Sequence, residues 1–132
     1  MKKINLIDYA RKFANIGHDA QNVASLTLTG VAMLPDNKPF SAGGDIGNIQ
    51  IKGYRATVCK GDDLEAHLAL DGATTYGYVT SDLKTLYLMS RDEYRQFVNA
   101  LSRVEKNSKG ELTIRLKHES EEFKMWLRKH TA

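Results

Sequence analysis

Three residues whose types could do chemistry crowd one short stretch of this chain. Residues 43–52 read GGDIGNIQIK, with Asp45 behind two glycines and Gln50 and Lys52 inside an isoleucine-rich run. Gln50 and Lys52 are two apart, so a strand places both side chains on one face and Ile49 and Ile51 on the other. A carboxylate, an amide oxygen and an ammonium arranged in this way suit phosphate chemistry. Asp45, with Gln50 beside it, can hold a divalent cation through oxygen. Such a cation polarises a phosphoryl oxygen and acidifies bound water. A lysine next to it orients that water or stabilises the negative charge that develops. Gly43 and Gly44 let backbone, metal and phosphate approach closely.

The elements around this stretch must position it. Residues 3–14 carry Ile4, Ile7, Phe13 and Ala14 near helical spacing and predict an amphipathic helix that Gly17 stops. Residues 18–30 predict a second helix, with Asp19 as N-cap and Gly30 as stop, although Leu26–Thr29 also suits a strand. Residues 33–45 are rich in turn formers and read as a loop. IGNIQIKGY and RATVCKG follow as one long strand or two short ones bent near Gly53. Residues 62–70 predict a helix with an acidic start. Residues 72–82 and 84–90 predict two strands joined around Ser81-Asp82.

Residues 90–104 predict a helix, with Ser90 and Glu93 in capping-box spacing and Tyr94, Phe97, Val98 and Leu101 on one face. A turn at Lys109-Gly110 precedes a strand with alternating Leu112, Ile114 and Leu116. Residues 118–130 predict a closing helix, acidic first and basic last. The order implies a mixed α/β or α+β domain with a central sheet flanked by helices.

At 132 residues, 42% hydrophobic and 27% charged, the chain reads as one globular domain over 1–132. No repeat, low-complexity tract, signal-peptide run or membrane-spanning stretch stands out in the sequence. Cys59 is the single cysteine and cannot form an internal disulfide, which suggests a cytoplasmic setting. A net charge of +3 suits nucleic acid, and KMWLRKH at 124–130 concentrates basic residues near the end. The four histidines show no metal-ligand spacing with one another or with Cys59, so the expectation is no zinc site. There is no GxSxG elbow and no phosphate loop ending in GKS or GKT.

GGDIGNIQIK resembles the PD-(D/E)xK, or restriction-endonuclease-like, nuclease superfamily in a QxK form. Two alignments are open. Asp45 runs straight into the strand, as a glycine-flanked aspartate does in many members. Pro35-Asp36 supplies a literal PD, with thirteen residues between Asp36 and Gln50, but it sits in a turn where aspartate is common. Asp45 is the favoured choice. The resemblance covers about residues 18–104 and leaves the C-terminal hairpin and helix outside. It implies a restriction-endonuclease-like core of helix, three strands, helix and strand. It also implies a Mg²⁺- or Mn²⁺-dependent endonuclease acting on DNA, with Asp45, Gln50 and Lys52 as catalytic residues.

The implied metal ligands are Asp45 and Gln50, then Asp36, and Asp19 from the first helix, where Gln21 is an alternative. The usual acid two before the lysine is Gln50 here, a weaker ligand. A second reading therefore keeps the fold with a weak or inactive site that binds nucleic acid. Small nucleases of this fold often act in pairs, which makes a homodimer an expectation. Against these stands a plain scaffold: Asp45 as a turn residue, Gln50 facing solvent, and Lys52 guarding an edge strand. Tyr76, Tyr78 and Tyr87 are then core or cross-strand residues.

Overall fold

A computed structural model of the chain describes residues 1–32, 46, 48–54, 56–101, 104–116 and 121–131. Among them the elements run β1 (Lys2–Asn5), α1 (Ile16–Thr29), β2 (Ile49–Gly53), β3 (Thr57–Cys59), α2 (Gly61–Asp71), β4 (Thr75–Val79), β5 (Thr85–Ser90), α3 (Arg91–Ala100), β6 (Glu105–Lys106), β7 (Leu112–Arg115) and α4 (Glu121–His130). A four-stranded sheet has the order β1-β5-β4-β2, and a three-stranded sheet the order β3-β7-β6. In the larger sheet β2 runs parallel to β4, while β4–β5 and β1–β5 are antiparallel. The protein is thus α+β, with a mixed sheet of four strands, a second sheet and four helices among the described residues. No helix among them is long and apolar enough to cross a membrane.

The two faces of the larger sheet bury different partners. Ile51, Val79 and Leu86 pack with Ala20, Val23 and Ala24 of α1. Tyr76, Tyr78 and Met89 pack on the other face with Tyr94 and Phe97 of α3, Leu64 and Leu68 of α2, Val58 of β3 and Ile114 of β7. Leu127 of α4 joins this second cluster. The C-terminal hairpin and helix therefore share a core with the residues around Tyr76.

Several elements form as their local chemistry dictates. The α3 capping box is complete: Ser90 Oγ accepts from the Glu93 N–H, and the Glu93 carboxylate accepts from the Ser90 N–H. Gly30 ends α1 at φ 77°, a left-handed conformation that glycine adopts without steric cost. At Gly53 the chain leaves one sheet for the other. A Cβ there would lie 3.0 Å from Ala20 Cβ, so glycine lets α1 approach β2.

Other expectations are corrected. Residues 3–14 do not form a helix. Lys2–Asn5 pairs antiparallel with β5, and Leu6 N–H extends the pairing to Lys84 O at 2.8 Å. Ile4 and Leu6 pack against the core while Asn5 and Ile7 are exposed, so the period in use is two rather than 3.6. Gly17 is no stop but lies in the first turn of α1. Asn15, not Asp19, caps that helix, its side chain accepting from Gly17 N–H at 2.8 Å. Leu26–Thr29 is helical. In β7 Leu112 is exposed while Thr113 and Ile114 are buried.

Candidate active site

Gln50 and Lys52 belong to β2, an outer strand of the described sheet rather than a central one. Their register partners in β4 are Tyr76 and Tyr78. In-register neighbours share a face, so Gln50 and Lys52 leave the sheet on the side of the tyrosines, away from α1. Ile51 between them is buried against α1. The alternation read from the sequence thus places two polar side chains on one side and an apolar anchor on the other.

Both polar residues line a pocket of about 240 Å³ whose walls also include Thr57, Cys59, His67 and Tyr76. Two sheets and two helices build it, Tyr94 coming from α3. β2 and β4 supply Gln50, Lys52 and Tyr76; β3 supplies Thr57 and Cys59; α2 supplies His67. Tyr76 is stacked on Tyr94, with ring centroids 4.3 Å apart and planes 6° apart, which gives the pocket a stiff aromatic wall.

At one side of the pocket, Cys59, His67 and Glu111 draw together. His67 Nε2 lies 3.1 Å from Glu111 Oε2, and Cys59 Sγ lies 4.0 Å from the same oxygen. Burial is the main influence that pushes the Cys59 thiol above its ordinary pKa, followed by Glu111 and Asp63; Lys52 and Lys109 pull the other way. The Glu111 carboxyl is held below its ordinary value, first by the Asn107 amide and then by His67. Spacing along the chain did not reveal this group, because eight and fifty-two positions separate Cys59 from His67 and Glu111. Pairing of β3 with β7, which sets Cys59 opposite Thr113, brings Glu111 near the thiol, and α2, whose Asp63 carboxylate accepts from Leu112 N–H at 2.8 Å, brings His67.

The remaining candidates are placed as follows. Asp45 and Asp36 lie outside the described residues. Asp19 is fully buried and its oxygens accept from Tyr9 Oη, Arg11 Nε and the N–H groups of Lys12 and Phe13. It fastens residues 9–13 to the start of α1 and is not among the pocket's lining residues. Gln21 Oε1 is a buried oxygen without a hydrogen-bond partner among the described residues. Lys60, next to Cys59 in the chain, donates through Nζ to Leu101 O at 2.7 Å. The basic residues Lys124, Arg128 and Lys129 of α4 are exposed, with Trp126 stacked on His130 and Leu127 turned into the core.

Compared with protein-family models, curated proteins and solved structures, the chain matches none. The chemistry must therefore be argued from the pocket. Its described lining offers one ammonium, one amide, one thiol, one imidazole and hydroxyls, and no carboxylate. A magnesium ion needs several hard oxygens. The described lining by itself does not fit that ion, and a fit depends on Asp45.

Proposed function

We propose that the chain is a metal-dependent nuclease that hydrolyses phosphodiester bonds in DNA at the Gln50–Lys52 pocket. The observation that supports this reading is that both side chains leave one face of β2 into one pocket. Lys52 would place its positive charge where the phosphoryl oxygens become more negative. Gln50 would offer its carbonyl oxygen beside it, and Asp45, five residues earlier, the carboxylate. Mg²⁺ or Mn²⁺ held by Asp45 and Gln50 would supply Lewis acidity when bound. The restriction-endonuclease-like core belongs to the same proposal, as does a homodimer as the working unit.

One observation favours the second reading, a nucleic-acid-binding protein that cuts weakly or not at all. Gln50 stands where a carboxylate would bind metal better, and no described lining residue replaces it. Incubation with supercoiled, linear and branched DNA in Mg²⁺ or Mn²⁺, with an EDTA control and an Asp45→Ala variant, separates the two. Cleavage lost in EDTA and in the variant supports the nuclease. Salt-dependent binding without cleavage supports the accessory protein. Neither binding nor cleavage removes both.

A further inference from the structure

We propose that Cys59, His67 and Glu111 form a binding site for one borderline-soft divalent cation of the zinc class. This inference goes beyond the nuclease reading and stands without it. The three ligand atoms come from separate places in the chain: the end of β3, the middle of α2 and the residue before β7. They nevertheless lie within 4.8 Å of one another. A thiolate, an imidazole and a carboxylate are the donor set that selects zinc over magnesium or calcium.

The distances suit a small cation. A tetrahedral site with bonds of about 2.0–2.3 Å has ligand–ligand edges of about 3.3–3.8 Å. The two separations to Glu111 Oε2, 3.1 Å and 4.0 Å, bracket that range, and Cys59 Sγ and His67 Nε2 lie within 4.8 Å of each other, so side-chain rotations that draw the thiol and the ring together close the site. Glu111 is already oriented for it. Its Oε1 accepts from Asn107 Nδ2 at 2.9 Å, which leaves Oε2 facing both His67 and Cys59. Asn107 Oδ1 in turn accepts from the N–H groups of Lys109 and Glu111, each at 3.0 Å, and fixes the turn that carries the carboxylate. Such outer partners set the orientation of metal ligands.

Three protein ligands leave a fourth position for water or an anion. Cys59 and His67 also line the pocket that holds Gln50 and Lys52, so the cation site would border the same space. The competing explanation is a His67–Glu111 ion pair with a thiol nearby. It predicts no shared ligation.

Cobalt titration of the full chain, without DNA, decides between them. Cys59 is the single cysteine, so a thiolate-to-cobalt charge-transfer band reports this residue alone. The expected result is one cobalt per chain, displaced by zinc and not by excess magnesium. The band should vanish in Cys59→Ser. Affinity should fall at least about tenfold in His67→Ala and Glu111→Gln, and by about ten- to a hundredfold in Asn107→Ala. Circular dichroism checks that each variant is folded. For the unaltered chain, a rise in melting temperature with zinc provides a readout that needs no variant. Absence of the band, or a band whose affinity is unchanged in both His67→Ala and Glu111→Gln, overturns the site. Neither result depends on whether DNA is cut.

Discussion

Gln50 and Tyr76 stand side by side across the parallel β2–β4 ladder and line the same pocket. Tyr76 is buried and stacked on Tyr94, whereas Gln50 sits on an outer strand of the sheet among the described residues and is only partly buried. A rigid aromatic wall beside accessible polar groups is an arrangement that can receive a polar ligand without rearranging the core. The position of Lys52, one step further along the same face, follows from that register.

Replacing Gln50 by Glu tests the role given to this position. If the neutral amide limits metal binding, Gln50→Glu should lower the Mg²⁺ concentration needed for half-maximal cleavage and raise the rate. Unchanged metal dependence in cleavage assays would show that residue 50 does not contact the ion.

Asp19→Asn should destabilise the fold by about 2–4 kcal/mol, because a buried carboxylate that accepts from four donor groups would gain an N–H of its own. Denaturant melts with and without Mg²⁺ check this. An equal loss in both conditions fits the structural work seen here. A loss confined to the metal-containing sample would restore Asp19 as a metal ligand.

Gly53→Ala brings a Cβ to within 3.0 Å of Ala20 Cβ, a methyl that cannot rotate away. Overpacking of about 1–3 kcal/mol is set against about 0.4–1 kcal/mol from a less flexible unfolded chain. The expected net loss is about 1–2 kcal/mol, read as a lower urea midpoint. A stabilised variant would show that α1 does not press on β2 as described.

The β4–β5 hairpin carries a pH signature. Asp82 accepts from Thr80 Oγ1 at 2.7 Å and from Lys84 N–H at 3.0 Å. The Thr80 hydroxyl is the largest influence holding its carboxyl below the ordinary 3.8. A depressed carboxyl stabilises the fold fully above its unfolded value and loses that contribution as pH falls through the folded one. The melting-temperature gap between the unaltered chain and Asp82→Asn should therefore be constant from neutral pH down to about 3.8, and close below it. A gap that persists in stronger acid would assign the effect to something other than the charge.

Some of this architecture was written locally and some was not. The helix from Arg91 could be read because Ser90 and Glu93 are three apart and its buried residues repeat at helical spacing. The bend near Gly53 and the hairpin at Ser81-Asp82 were legible from turn chemistry. β1 was not, because Ile4 and Ile7 fit a helix as well as Ile4 and Leu6 fit a strand. Only distant pairing with β5 decides between them.

The site shows the same division. The shared face of Gln50 and Lys52 follows from spacing alone, and their company in the pocket does not. Cys59, His67 and Glu111 converge through β3–β7 pairing and the seating of α2 beside Leu112, contacts that no short motif encodes.

The central claim is that Lys52 acts on a phosphodiester. Its most direct test is cleavage of supercoiled plasmid in Mg²⁺ or Mn²⁺ by the unaltered chain and by folded Lys52→Ala, side by side with EDTA. The expected result is cleavage that EDTA abolishes and that Lys52→Ala slows by about 10²–10³-fold. Equal cleavage by the two proteins, or none by the unaltered chain on any DNA, would contradict it.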